Sequence, residues 1–462
     1  MDDIQGKTRI VEAGRDVPVL ARTDVLVVGG GPSGMAAAIG AARAGASVII
    51  VEQFGCFGGN ITVVGVESFA WYRHEDTVEA GGLVFEFEQK FVELAGSNPE
   101  PQSNSQALDA EMFKYVADEL LNIPGITPIL HCLAVGVIVE DGLIKGIITE
   151  SKSGRQAILA KAVVDCTGDA DIAAMAGADY TLDTKDNLMS VTQLFSCRDV
   201  DADRFRAFIK DDLKPTYRDW GGYWSIETTG KEDDLFTPYF ERPFVEGIAE
   251  GIVAIPEDEN VSLGGTWSTI SDNGDVTGLN VVFIGKIDCT NVMDLTKAEI
   301  VGRRNAIRAI DIMRRKVPGF ERARLRNFGM TIGTRESRKI VGRESLTGND
   351  VMNQGRFDTT IGIFPEFIDG IGYLILPTTG RYYQIPYGCL VPNHVDNLLV
   401  AGRTISGDRI AHVSYRNMSG CVTTGQAAGI AAAEAVKSGT TTATVDIGCV
   451  QEAIQAQGVR IY

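Results

Sequence analysis

Three glycines at Gly29, Gly31 and Gly34, followed by an acid at Glu52, are the residues of this chain whose types and spacing speak most directly of chemistry. They lie in Asp24-Val-Leu-Val-Val-Gly29-Gly-Gly31-Pro32-Ser33-Gly34. The first glycine permits a tight turn. The second lets backbone approach a pyrophosphate, and the third lets the next helix pack closely on the strand. Val25 to Val28 is the continuous apolar run expected of a parallel strand buried on both faces. A helix over about Ser33 to Ala44 would aim its positive N-terminus at phosphates. Glu52, closing the apolar run Val48 to Val51, would accept the hydroxyls of an adenosine ribose. The pattern predicts a dinucleotide site. The competing reading is a glycine-rich turn of some other α/β protein.

The segment after Glu52 suits a flavin dinucleotide rather than a nicotinamide one, although taken alone it reads as an ordinary loop. Gly55-Cys56-Phe-Gly58-Gly59-Asn60-Ile-Thr62 puts a glycine doublet where a bulky cofactor needs backbone without intervening side chains. Cys56 stands beside the expected cofactor, either as a reactive or flavin-linked thiol or as a small packed residue. A second cluster, Arg409, His412, Tyr415 and Arg416, precedes a helix crowded with small residues. His412 is one of four His, and imidazole suits acid–base work near neutral pH; the alternative is a structural histidine. Arg335 and Arg338 flank Glu336. They are candidates to clamp a carboxylate or polarise a carbonyl, or to belong to a buried ion-pair network. Tyr383 and Tyr387 are candidate phenol donors. Trp71, Tyr72, Arg73 and His74 are expected to line a pocket.

The elements that must hold these residues follow from periodicity. Helical spacing covers Gly81 to Ala95, and Asp109 caps a helix to about Asn122. Val135 to Val139, Leu143 to Thr149 and Ile158 to Val164 read as a β-meander with turns at Glu140-Asp141-Gly142 and Ser153-Gly154. It ends in Asp165-Cys-Thr167-Gly168-Asp169-Ala-Asp171. From about 181 the pattern becomes irregular, with Trp220, Tyr223, Trp224 and Trp267 and a helix over Thr296 to Arg315 whose basic face is expected to be solvated. The first style returns at Asn397-Leu-Leu-Val-Ala-Gly402-Arg403 and in the lean helix Asn417 to Val436. That helix either packs closely on a flat neighbour or aims its N-terminus at the flavin. The expected fold is α/β: a discontinuous Rossmann-like FAD-binding domain over 22–180 and 385–462, with a β-meander and an inserted α+β substrate or lid domain over 181–384.

Composition sets limits. With 462 residues, 44% hydrophobic and 23% charged, the chain is long enough for two units and ordinary for a globular protein. A net charge of −18 argues against nucleic acid as a partner. None of the eight Cys forms C-x-x-C, so no metal site is expected. The first twenty-odd residues are charged without an apolar core, and the most apolar stretch is a β-α-β pattern rather than a span. A cytoplasmic protein that does not engage a membrane is expected. A homo-oligomer is compatible with the sequence.

In the order Asp24–Gly59, Asp165–Asp171, Gly333-Thr-Arg335-Glu336-Ser337-Arg338, Ile385-Pro-Tyr387, Asn397–Arg403, His412–Arg416 and Gly425-Gln-Ala-Ala-Gly429, the chain resembles the bacterial FAD-dependent oxidoreductase family. That family sits within the glutathione-reductase-type FAD superfamily and is related in fold to the fumarate-reductase flavoproteins. The resemblance implies FAD as cofactor. It implies contacts from Gly29, Gly31, Pro32, Ser33, Gly34, Glu52 and Gln53. Further contacts are implied at Gly58, Gly59, Asn60, Val135, Thr167, Gly168 and Asp169, and at Gly402, Arg403 and Gly425. Arg403 stands where the wider superfamily has an Asp for the ribitol. A substrate pocket is expected between flavin and middle domain, with His412, Arg409, Arg335, Tyr387 and Arg416 as catalytic candidates. The favoured activity is hydride transfer between flavin N5 and a small organic substrate, at C–C beside a carbonyl or at CH–OH. An oxygen-using monooxygenase or oxidase is one alternative, and an electron-transfer subunit without its own substrate is another. The external electron donor or acceptor is left open.

Overall fold

The computed structural model describes residues 12, 14–73, 79–96, 105–234 and 236–462. His74 lies outside the described residues.

Strand β1 (Val19–Val28) runs parallel to β2 (Val48–Val51), with Val25 opposite Val48 and Val28 opposite Val51. Helix α1 (Pro32–Arg43) connects them. All four β2 residues and Val25 to Val28 are buried, as their unbroken apolar runs require. After helices α2 (Leu83–Ala95) and α3 (Ala110–Leu121), β3 (Ile126–Ile129) adds in parallel beside β2. Asp109 caps α3 by accepting from the Met112 N–H at 2.8 Å.

Strands β4 (Leu133–Glu140), β5 (Leu143–Ser151) and β6 (Gly154–Asp165) form the expected meander. They are not a separate sheet, because β6 also pairs in parallel with β1. Leu398–Val400 then pairs in parallel with the end of β6, giving a seven-stranded sheet of core order β3-β2-β1-β6-β5-β4. Val28 faces Asp165, and Asp165 faces Val400. The turns at Gly29, Thr167 and Gly402 therefore open along one edge, the carboxyl ends of parallel strands, where α/β folds bind ligands.

Helix Met418–Ser438 lies against α1. A Cβ at Gly425 would stand 2.1 Å from the Ser33 carbonyl oxygen, and one at Gly429 would stand 2.0 Å from that of Ala37. The small residues serve this close crossing, so Gly425 is corrected from a cofactor contact to a helix-packing residue.

A second hydrophobic core gathers residues from Val191 to Ile332, including Phe205, Phe240, Trp267 and Ile310. Its six-stranded sheet contains Phe195–Arg198, Val261–Thr266, Val276–Ile284 and Arg324–Phe328, backed by the helix Val292–Lys316. The basic face of that helix is not simply solvated. Arg304 and Arg308 bind the buried Glu259 at 2.8 and 2.6 Å. Residues such as Leu346, Ile361, Phe364, Leu376 and Ile385 add to the first core instead.

Candidate functional site

Two cavities meet at one arginine. A groove of about 420 Å³ runs along the carboxyl ends of the parallel strands, and a cavity of about 960 Å³ lies under the second core. Arg416 lines both.

The groove is built largely from backbone. Gly29 has φ +102°, and a Cβ there would stand 2.3 Å from the Cys166 carbonyl oxygen. At Gly34 a Cβ would meet the Gly29 carbonyl oxygen at 1.8 Å. At Gly31 it would meet nothing closer than Gly59 Cα at 3.8 Å, so this glycine leaves open room on the groove side. Helix α1 starts at Gly31 without a side-chain cap. The first-turn N–H of Ser33, a groove residue, is thus left for a ligand, with the helix dipole behind it. The helix Met418–Ser438 also starts without a side-chain cap, and Met418 and Cys421 of its first turn line the same groove. Glu52 Oε2 accepts from the Gly30 N–H at 2.7 Å and Oε1 from the Phe54 N–H at 2.9 Å. Burial raises its pKa against the lowering effect of these donors.

Of the predicted contacts, Gly29, Gly31, Pro32, Ser33, Glu52 and Gln53 line the groove, as do Gly59, Asn60, Thr167, Gly168, Asp169 and Arg403. Gly34, Gly58, Val135, Gly402 and Gly425 do not line it. Gly34 and Gly58 shape their turns; a Cβ at Gly58, φ +106°, would meet Thr62 at 2.5 Å. Gly402, φ +85°, turns the chain beside Ser33 and donates its N–H to Thr424 Oγ1. On β4 the wall is Leu133 and Ala134, one residue before Val135. Arg403 takes a stapling role: Nη1 donates to the Thr334 carbonyl at 2.7 Å, Nη2 to Asp169 Oδ1 at 2.7 Å, and Nε to the Gly168 carbonyl. It ties the Thr167–Gly168 turn to the Thr334 segment. The groove fits a dinucleotide: two uncapped helix N-termini, an acid at the ribose end and a glycine opening between them. Cys56 is not on its wall. Its Sγ sits 3.8 Å from Thr62 Oγ1, and burial raises its pKa.

The catalytic candidates separate. Arg335, Arg409 and Arg416 line the large cavity. Arg335 Nη1 donates to the Ser190 carbonyl at 2.7 Å, Nη2 approaches Asn280 Oδ1 at 3.4 Å, and the guanidinium lies over the Phe283 ring at 4.9 Å. Burial, with the repulsion of Arg416, lowers its pKa to about 10. Arg416 Nη2 donates to the Asp369 carbonyl at 2.9 Å and stands 3.8 Å from Asp369 Oδ2. Arg409 donates to the Asn187 carbonyl. Arg338 is drawn away: Nη1 binds Asp171 Oδ1 at 2.8 Å, and Glu336 pairs with Lys339 at 2.9 Å.

His412 and Tyr387 require correction. His412 is fully buried and lines neither cavity. Burial and the surrounding Lys339, Arg416 and Arg403 hold its pKa well below 6.5, so it stays neutral. Tyr387 donates its hydroxyl to the Thr442 carbonyl at 2.6 Å, and Tyr383 shares a 2.9 Å hydrogen bond with Ser414 Oγ. Both rings are core residues. Trp71 packs edge-on to Tyr217, and Tyr72 hydrogen-bonds Glu88; neither lines the cavity.

Sequence reasoning missed much of the cavity. Its walls include Trp220, Trp224, Tyr239, Phe240 and Phe283, with Asn280 near Arg335. The aromatic density at 220–224 was the available signal.

Fold and groove together define a Rossmann-type dinucleotide-binding flavoprotein. The chain matches the FAD dependent oxidoreductase family over residues 24–454 and belongs to it; FAD is its cofactor. Among curated proteins none matches the chain. Similar solved structures include a geranylgeranyl bacteriochlorophyll reductase-like protein from Thermoplasma acidophilum. It has 14% identity and a TM-score of 0.44, over 95% of this chain and 82% of that one. Another is p-nitrophenol 4-monooxygenase PnpA from Pseudomonas putida DLL-E4, with 11% identity and a TM-score of 0.46, over 95% and 85%. Among the described residues no helix is long and apolar enough to cross a membrane, and no group of His, Cys, Asp and Glu is placed to hold a metal ion.

Proposed function

We propose that this protein is an FAD-dependent dehydrogenase or reductase that moves a hydride between flavin and an organic substrate held in the 960 Å³ cavity. The observation that carries this reading is Arg416, which is wall to both the groove and the cavity. A ligand at the inner end of the cavity therefore adjoins whatever fills the groove. Bound FAD supplies a hydride acceptor or donor at its N5. In this reading Gly29, Gly31, Pro32, Ser33, Glu52 and Gln53 hold the adenosine diphosphate half, and Thr167, Gly168 and Asp169 form the facing wall. Arg335 and Arg416 orient the substrate from the inner end. The rings of Trp220, Trp224 and Tyr239 exclude water from its body. Asp369 Oδ2, 3.8 Å from Arg416, is placed to accept a proton there. A cavity of this size also favours an enzyme over an electron carrier without its own substrate.

The test is the visible spectrum of the flavin-loaded protein under anaerobic conditions, before and after NADH, NADPH and a panel of organic acids and alcohols, with enones then added to the reduced flavin. Bleaching by an acid or alcohol, or return of the yellow colour on adding an enone, both without oxygen, is the expected result. Flavin that is bleached only by NADH or NADPH, with product formed only once oxygen is admitted, replaces this reading with a monooxygenase.

A further inference from the structure

At the inner end of the cavity the protein has placed more positive charge than it neutralises. Arg335 is partly buried, and its hydrogen-bond acceptors are both neutral, the Ser190 carbonyl and Asn280 Oδ1. Arg416 has a side chain only 12% exposed, and its Nε is buried without a hydrogen-bond partner. The nearest carboxylate to it, Asp369, stands at 3.8 Å, beyond good hydrogen-bond length, and is itself one-third exposed. Arg335 and Arg416 are two guanidiniums against one distant carboxylate, and Arg409, a third on the same wall, has its own Nε buried without a hydrogen-bond partner. Burying cations together without full counterions is unfavourable. A fold maintains such an arrangement where a ligand supplies the missing anion. The cavity's other acids, Asp186, Asp219, Glu241 and Glu246, are all exposed residues. The cavity wall also carries Trp220, Trp224, Tyr239 and, against Arg335, Phe283.

We propose that the substrate is a monocarboxylate with an uncharged, ring-bearing body. Its carboxylate is held between Arg335 and Arg416, and its rings lie along Trp220, Trp224 and Tyr239. The inference rests on the reading above that this cavity is the substrate site. A carboxylate presents two coplanar oxygens to these planar guanidinium forks. The exposed acids disfavour a second acid on the ligand. The body is argued from volume: 960 Å³ is the upper part of the range of small-molecule sites and far exceeds a short acid. Aromatic walls offer their rings for stacking. Arg335 sits over Phe283 with its Cζ 4.9 Å from the ring centroid, a contact that helps hold the guanidinium in place.

The experiment is calorimetric titration of the flavin-loaded protein with 3-phenylpropionate, cinnamate and indole-3-acetate, with their amides, and with phenyl phosphate. The flavin spectrum is recorded in the same samples. Saturable binding of at least one carboxylate and none of its amide is expected. Arg335→Met is expected to weaken that binding about tenfold to a hundredfold, as loss of a charged hydrogen-bond partner does. Arg335→Lys, which preserves charge and guards against a misfolded variant, is expected to retain part of it. Equal binding of acid and amide, tighter binding of phenyl phosphate, binding unchanged in Arg335→Met, or no binding by any carboxylate each overturns the proposal. The two readings fail separately. Carboxylate binding that needs Arg335 but never perturbs the flavin spectrum supports the anion site while sinking its adjacency to flavin. Bleaching by a neutral compound alone does the reverse.

Discussion

The groove and the cavity touch at Arg416 but are built from different materials. The groove is made of glycine, helix termini and carbonyl groups. Its wall residues come mainly from the turns at Gly29, Gly59 and Thr167, each tied to the end of a parallel strand or the loop after it. The cavity is made of long side chains, Arg335, Arg416, Trp220 and Tyr239, reaching in from segments far apart in the chain. The difference teaches where specificity resides. A dinucleotide is recognised through features any backbone can offer if side chains are removed. A substrate is recognised through charge and ring placement that only tertiary packing assembles. Changes of backbone should therefore act on the cofactor and changes of side chain on the substrate.

The largest effect expected is at Gly34. A Cβ there lies 1.8 Å from the Gly29 carbonyl oxygen, which is backbone and cannot move aside. Gly34→Ala should lose about 3 kcal/mol or fail to fold, because the strand and helix of the first turn are forced apart. Gly31→Ala is the contrast. Its new methyl meets nothing within 3.8 Å, and its φ of −73° suits any residue. This variant should melt with the parent apoprotein yet purify without yellow colour, since the methyl stands where a pyrophosphate must approach. Thermal melting and flavin content, measured together, check both. Normal flavin content in Gly31→Ala would dismiss the assignment of the groove.

Arg335→Met tests the other side. Turnover of any substrate found by anaerobic bleaching should fall about a hundredfold in kcat/KM. Flavin content and melting temperature should stay within error of the parent. A variant that loses flavin as well would mean that the two regions are not separable.

What was legible in the sequence follows the same division. The β1–α1–β2 unit, the meander and the caps at Asp109 and Asp446 are local, and adjacent residues specify them. The meander's union with the parallel sheet was not legible, because β6 pairs with β1 across more than a hundred residues of chain. At Gly425 composition alone allowed either packing or cofactor contact; only the Ser33 carbonyl oxygen, 2.1 Å from where a Cβ would stand, decides it. His412 looked like an acid–base group because imidazole chemistry is visible in a sequence and burial is not. Arg335 and Arg338 form one motif in the sequence, yet the chain turns them to opposite fates, one into the cavity and one onto Asp171.

Where the two cores meet, Glu67 gives the comparison a pH dependence. Its Oε2 accepts from Thr277 of the second core at 2.5 Å, and Oε1 accepts from the Ala110 N–H at 3.2 Å. Burial raises its pKa from the ordinary 4.5 to about 7. The folded chain then holds a proton that the unfolded chain has already released. Stability therefore falls as pH rises from 4.5 through about 7 and levels beyond it. The loss is about 3 kcal/mol. Glu67→Gln should flatten that slope in melting curves taken between acid and mildly alkaline pH, and it should melt higher than the parent at the alkaline end. An unchanged slope would place the coupling elsewhere.

The smallest effect expected is at Glu52, and it separates the groove from the cavity most cleanly. Its two oxygens accept from the Gly30 and Phe54 N–H groups. In Glu52→Gln one acceptor becomes an amide N–H2 that faces a backbone N–H, and the other acceptor survives with less charge. Fold should be kept, since the side chain has the same shape. The ribose hydroxyls would face a donor where they need an acceptor. FAD should bind about tenfold more weakly, or about 1.4 kcal/mol, by fluorescence titration of the apoprotein. Once the variant is loaded with excess FAD, carboxylate titration should return the parent affinity, because Glu52 is not part of the cavity wall. A fall in carboxylate affinity in the loaded variant would show that the glycine-built groove sets the position of the arginines, and the division between backbone and side-chain recognition would have to be given up.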